Sequence, residues 1–447
     1  MITIGKPYIY EDGEYAYLKA PIHITEDTSK AYMALQDTFK HVHWRLYENY
    51  PPVEWQSDDS GLWFAVPIEY KSYLCAERGD AFVVAMLWYA MVTESDIICE
   101  APISHKMLFA IRYQLIPALM KSEKGYHRHI NIQAPTTTNA YPNAHAVGTG
   151  MSCGIDSLYS LHLYNSDDVP EGYKLTHLTY FNMGAIFHPD RANKKVYSMK
   201  EFYETTDRMS EEKRANAQVV ADMSNLPLLY VKSNMDSDYY RGAYGDTGVY
   251  RNCACVLALA GLFGKYYCSS AGWPEYFNLN LDQGSEHYES LLCTAFSTEN
   301  TQFILSDYDS RLYKTIALAD NEMAQMYLDV CFRFNSCGTC AKCYRTLVTL
   351  DVIGKLDNFK SVFDVEKFRQ NRVDAYAWLL RTKDGNINDD NVVFAIDIFN
   401  YAMSHNFEIP REAFGKYNEW KNRNTIFGKL KSSVKKVARH LLSKGEK

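Results

Sequence analysis

The sequence predicts an α/β protein built around a mostly parallel sheet with helices on both faces, and three observations carry that expectation. From residue 144 onward, apolar runs of strand length alternate with stretches whose apolar residues recur at helical spacing. Those runs are nearly continuous in apolar residues, as strands buried on both faces of a βαβ sheet are. Before residue 130 the pattern differs, and a Pro-, Thr- and Asn-rich break at 133–143 separates the two regions.

Taken in order, residues 16–24 alternate as a half-exposed strand does, and helical spacing follows at 31–47, 80–92 and 106–120. The apolar run 81–92 is twelve residues long. It falls short of the ~20 that a membrane-spanning helix needs, so it is expected to be a buried core helix. After the break come a strand at 144–151, a helix at 155–164, a strand at 175–181, a helix at 211–223, a strand at 226–231, a helix at 250–263 and a strand at 265–270. The expected organisation is an N-terminal α+β domain over 1–140, a ligand-binding domain over 141–358, and a helical C-terminal region over 359–447. In such a sheet, ligands sit at the carboxyl ends of the strands.

With 447 residues, 47% hydrophobic and 23% charged, the chain has the composition of a globular protein. The N-terminal residues show no basic segment followed by an apolar one, so the expected location is the cytoplasm and the eleven cysteines are expected to be reduced. Net charge is −7, yet the chain from Lys416 onward carries ten Lys/Arg against two Asp/Glu, which leaves −15 on the rest. An acidic body of this kind argues against a generic nucleic-acid surface. In the basic tail, Phe427, Leu430, Val434, Val437 and Leu441 recur at helical spacing. That helix could lie on an anionic membrane surface or a partner, or pack on the protein itself.

Two motifs carry chemistry. The first is Ser152-Cys153-Gly154-Ile155-Asp156-Ser157, placed where a strand stops and a helix starts. A small, hydroxyl-bearing turn there turns several backbone N–H groups toward an anion, and the helix dipole adds to them. The turn lacks the Gly-Lys-Ser/Thr ending of a Walker loop and the three-glycine spacing of a dinucleotide fingerprint. Cys153 has two readings: a thiol with a lowered pKa at a helix N-terminus, or a small residue tolerated by the turn. The second motif is Cys331, Cys337, Cys340 and Cys343, four sulfurs within thirteen positions, with Gly338 at the bend. Four thiolates suit a tetrahedral structural zinc; an iron–sulfur cluster or four free thiols are the alternatives.

The first motif resembles the Ser-Gly-Gly-x-Asp-Ser signature of the PP-loop ATP pyrophosphatase superfamily, with Cys153 in place of a glycine. The two motifs together are similar to its cyano-deazaguanine synthase-like branch, over residues 144 to 356. In that branch an Arg-Asn pair opens a helix, here Arg251-Asn252, a lysine enters a helix, here Lys314 after Arg311, and a basic residue follows the cysteines, here Arg345. The resemblance implies a Rossmann-like (HUP-type) sheet ending in a zinc knuckle, and an enzyme that cleaves ATP between the α- and β-phosphates. Ser152, Cys153, Gly154, Ile155, Asp156 and Ser157, with Arg251 and Asn252, would bind the nucleotide. Asp156, Ser157, Arg311 and Lys314 would serve catalysis, with Asp156 linking to Mg²⁺. Implied cofactors are ATP, Mg²⁺ and Zn²⁺. The implied reaction is adenylation of a carboxylate or carbonyl followed by amidation; a sulfur transfer within the same superfamily and a non-catalytic nucleotide-binding scaffold are the alternatives. Expected partners are a small-molecule substrate or a protein or peptide acceptor, with a second copy of the chain as a further candidate.

Overall fold

Ten of the eleven strands in the main sheet follow one path, and the strands before and after residue 140 lie on it together. The structure is a computed structural model and describes residues 1–39, 61–122, 127–186, 199–240, 244–269, 277–279, 284–331, 336–385 and 390–423. The basic tail beyond 423 and the later part of the 31–47 stretch lie outside the described residues. The chain forms two compact units, Met1–Asn335 and Ser336–Lys447.

The first unit opens with β1 (Ile2–Ile4), β2 (Tyr8–Glu11), β3 (Tyr15–Ile24), α1 (Glu26–Phe39), β4 (Gly61–Pro67), α2 (Asp80–Val92) and β5 (Ile97–Cys99). A short β6 (Ile103–Ser104) enters α3 (His105–Ala110), which passes through a wider π turn at Ile111–Leu115 into α4 (Ile116–Leu119). Pro117, which has no N–H to donate, follows that turn as the second residue of α4. After β7 (Ile132–Gln133) and β8 (Thr136–Thr137) comes the alternating part: β9 (Ala146–Gly150), α5 (Ile155–Tyr164), β10 (His177–Asn182), α6 (Met199–Met223), β11 (Leu228–Ser233), α7 (Tyr244–Ala258), β12 (Phe263–Cys268), α8 (Glu289–Phe296), β13 (Gln302–Leu305), α9 (Arg311–Leu318) and α10 (Glu322–Tyr327).

The sheet order is β13-β12-β9-β10-β11-β4-β3-β1-β5-β7, with β2 beside β3. From β13 to β11 every pairing is parallel. The pairings of β11 with β4, β4 with β3, β3 with β1 and β3 with β2 are antiparallel, and β1–β5 and β5–β7 are parallel again. The sheet is therefore large and mixed, and mostly parallel. From β9 the connections to β10 and β11 run one way and those to β12 and β13 the other, so the right-handed rule for crossovers calls for α5 and α6 on one face and α7 and α8 on the other. Numbered along the chain, the parallel strands run 3-2-1-4-5, so the order reverses at β9, and the crevice beyond its carboxyl end is where doubly wound sheets take ligands.

The expectation of a separate domain over 1–140 does not match this topology. Strand β4 pairs with β11 through Ala65↔Lys232 and Phe64↔Ser233, and Asn234 reinforces the junction by donating to the carbonyl of Gly61 and accepting from the N–H of Trp63, each at 2.9 Å. All thirteen residues of α2 are buried, as a helix that is apolar all round must be. The twelve apolar ones, 81–92, belong to one hydrophobic core with α7 and β11. The Pro- and Thr-rich break signals a turn; it carries no information about which strands pair across it.

The second unit is helical: α11 (Ala341–Val352), α12 (Val365–Gln370), α13 (Arg372–Lys383), α14 (Asp390–Ser404) and a helix at 411–423. Its core includes Leu347, Leu350, Tyr376, Leu380, Ala395 and Ile398. Asp351 of α11 accepts from Arg372 and from the Tyr376 hydroxyl of α13, each at 2.7 Å. Buried Arg345 lays its guanidinium over the Phe394 ring at 4.4 Å.

Candidate functional site

The bend 151–154 follows the carboxyl end of β9, where the sheet order reverses. Its N-cap residue, Gly154, has extended backbone and offers no side chain to the first turn of α5. Ser152 and Ser157 face each other across the bend with their hydroxyls 3.3 Å apart, and the Ser157 hydroxyl donates to the carbonyl of Gly154 at 3.1 Å. Ser160, one turn further, meets Ser269 after β12 at 3.0 Å, and Thr149 approaches the same hydroxyl at 3.3 Å.

Cys153 makes the bend. Its φ is +58°, the left-handed region where glycine is at ease and other residues are strained. The side chain is fully buried, and that burial pushes its thiol up to about 12, with the Asp329 carboxylate adding to the effect. Of the two sequence readings, burial of the side chain favours the small residue tolerated by the turn, since desolvation disfavours a thiolate.

Three residues picked out by the sequence come together above α5. Asp156 pairs with Arg311 and lies 3.5 Å from the Lys314 ammonium, which also pairs with Asp307 at 2.7 Å. Lys314 is only 1% exposed, so its charge is held by these carboxylates and not by water. Ser310 caps α9 by accepting from the N–H of Tyr313, which orients Arg311 and Lys314 in the first turn. Asp309 accepts from the Tyr159 hydroxyl of α5 at 2.6 Å.

Arg251 lies elsewhere in the packing. It is fully buried in α7, donates to the carbonyl of Met183 at 2.6 Å and to Thr247 at 2.8 Å, and pairs with Asp236 at 2.7 Å. Tyr240 and Tyr244 flank the guanidinium. A clamp for a phosphate was expected; in this arrangement the residue locks α7 onto the ends of β10 and β11. Gly184, at φ +93°, lets it approach, since a Cβ there would stand 2.5 Å from the Arg251 Nη1. Asn252 beside it is half-buried.

Sequence reasoning missed Lys213 and Asp329. Lys213 of α6 pairs with Asp329, whose backbone N–H donates to the carbonyl of Cys153 at 2.8 Å. Nothing local marks them, because one is a charged residue of a long polar helix and the other follows α10 at a distance of 176 positions from Cys153.

The four-sulfur motif is assembled. The Sγ atoms of Cys331, Cys337, Cys340 and Cys343 all lie within 4.8 Å of one another, and none is in a disulfide. Sulfurs about 2.3 Å from a tetrahedral Zn²⁺ would be about 3.8 Å apart. The Cys340–Cys343 and Cys337–Cys343 separations are 3.4 and 3.9 Å. Gly338 turns the chain at φ +70°, and Cys340 is the N-cap of α11, which places Cys343 in the first turn of that helix. The group could therefore hold a metal such as zinc. Among the described residues, no helix is long and apolar enough to cross a membrane. No family model, curated protein or solved structure matches this chain.

Proposed function

We propose that this chain is an ATP-dependent adenylating enzyme of the PP-loop kind, with a Rossmann-like sheet and a structural zinc at the four cysteines. The observation that carries the reading is the convergence of Asp156, Arg311 and Lys314 on the glycine-capped start of α5, at the strand where the sheet order reverses.

The chemistry follows from what each group can do. The first-turn N–H groups of α5 and the Ser152 hydroxyl are suited to the outer phosphates of a nucleotide. Asp156, one-fifth exposed, would be the carboxylate that meets a phosphate-bound Mg²⁺, which would supply neutralisation of phosphate charge when bound. Engaging Asp156 in that way frees Arg311 to turn to the phosphates, while Lys314 stays neutralised by Asp307. A substrate carboxylate or carbonyl oxygen would attack the α-phosphorus, pyrophosphate would leave as one unit, and ammonia or an amine would displace AMP. The protein's contribution is positioning and preorganised charge. Cys331, Cys337, Cys340 and Cys343 would leave a bound zinc no open position for substrate, so the role it would supply is structural. Sulfur carriage by Cys153 is disfavoured by the burial of its thiol.

The test is incubation of the full chain with ATP, Mg²⁺ and a metabolite extract, with nucleotide products resolved by chromatography. AMP and pyrophosphate are the expected products. ADP and phosphate would contradict the mechanism, and tight ATP binding without turnover would return the scaffold reading.

A further inference from the structure

We infer that Asp329 is a positioning residue that ties the 151–154 bend to the metal-binding segment, so that filling the four-sulfur site sets the shape of the bend. The inference rests on the metal reading above and extends it to the loop on which nucleotide binding would depend.

Three hydrogen-bonding groups of one residue carry it. The Asp329 N–H donates to the carbonyl of Cys153 at 2.8 Å, which catches the one residue of the bend with left-handed backbone. Its Oδ1 accepts from the N–H of Cys331 at 3.3 Å, two positions on, and Cys331 supplies one of the four sulfurs. Its Oδ2 pairs with Lys213 of α6. A second tether lies beside it, where Asn216 of α6 donates to the carbonyl of Tyr327 at 2.9 Å. The segment 327–331 is therefore fastened to α6 along its length, touches the bend at one point, and ends in a metal ligand. A metal that fixes the Cys331 sulfur fixes, through the Oδ1 bond, the direction of the N–H that holds Cys153. Without that side chain the two ends of the segment could move independently. Both bonds are short-range and directional, so a small displacement is enough to break the coupling.

The experiment follows amide hydrogen exchange in the peptide spanning 151–158, using full-length protein purified with zinc. Removing the metal with a chelator should speed exchange in the wild-type loop about tenfold. Asp329→Ala should exchange fast with the metal still bound and should respond little to chelation, because the link is already cut. Asp329→Asn keeps the Oδ1 acceptor and should behave as wild type, which a purely electrostatic role through Lys213 would not allow. A wild-type loop indifferent to chelation, or an Asp329→Ala loop that responds as fully as wild type, overturns the inference while leaving the metal reading intact. A wild-type chain that binds no zinc removes both. The chelation arm needs no variant, so a failure of Asp329→Ala to fold does not leave the question open.

Discussion

Cys153 combines a strained backbone with a buried side chain, and the two pull substitutions in different directions. A non-glycine residue in the left-handed region costs about 1–3 kcal/mol, and a buried thiol returns a comparable amount through apolar burial. Cys153→Gly is therefore expected to change stability by no more than about 1 kcal/mol in urea unfolding. Cys153→Val is expected to cost more than about 2 kcal/mol, because a β-branched residue suits that backbone worst. Full ATP turnover in Cys153→Gly would also exclude a sulfur-carrying role. His127 offers a pH signature. Burial lowers its pKa to about 4, and among the described residues neither ring nitrogen has a partner. Between pH ~6.5 and ~4 the unfolded chain holds a proton there that the folded chain does not, so stability is full above that window and falls by about 3 kcal/mol across it as the pH drops. Asp80, buried and raised to about 6, has the opposite sign: the folded state holds the extra proton, and stability falls as the pH rises from about 4 to 6. The two nearly cancel in the wild type. His127→Phe should unmask the difference, gaining about 2–3 kcal/mol relative to wild type between pH 7 and pH 4.5 in denaturant titrations. An unchanged gap between the two proteins at the two pH values would show that the imidazole is protonated in the fold.

At the scale of elements, the periodicity of the sequence located most of what it predicted. The helix expected at 155–164 is α5 with the same bounds, and the apolar run 81–92 lies within buried α2. These succeed because a glycine N-cap, a helical period and an all-apolar run are local properties of the chain. The four-cysteine motif was legible for the same reason, since its spacing alone brings the sulfurs together. Arg251 was not legible: the helix expected over 250–263 is α7, Tyr244–Ala258, so the Arg-Asn pair lies in mid-helix and not at its start, and the arginine meets buried Asp236. The Lys213–Asp329 contact was not legible either, because it depends on how α6 packs. The metal site gives the test suited to this scale. Elemental analysis of the wild type is expected to find one zinc per chain, and Cys340→Ser and Cys343→Ser are expected to bind none. Because Cys340 caps α11 and Cys343 sits in its first turn, losing the metal loosens that helix start. Since metal binding is folding free energy, the loss should be at least about 3 kcal/mol, visible as an earlier thermal transition. Iron in place of zinc would redirect the site toward redox chemistry.

For the whole molecule, the question is whether the first 140 residues can be removed. Sequence reasoning placed a boundary there, and the sheet runs across it. In a fragment of residues 141–447, β11 would lose β4 and expose an edge of unpaired N–H and C=O groups, a template for aggregation. The face of α7 that shares a core with α2 would meet water, together with Tyr240, whose carbonyl accepts from the Tyr32 hydroxyl at 3.0 Å. The complementary fragment 1–140 would keep β3 paired with β4 and β1, but would leave α2, apolar on every side, without α7. Neither piece can bury its share of one core, so both are expected to be insoluble or to lack a cooperative unfolding transition, whereas in the full chain the unit Met1–Asn335 is expected to show one. Co-expression of the two pieces should recover soluble complex, because the missing surface of each is the other. A cooperative transition from residues 141–447 alone would restore the two-domain reading and make the N-terminal strands an appendage of an independent α/β unit. The distinction bears on function: if the sheet is indivisible, the loop after β9 is supported from both flanks, and a substitution at the β4–β11 junction such as Asn234→Ala should disturb nucleotide binding without touching the loop.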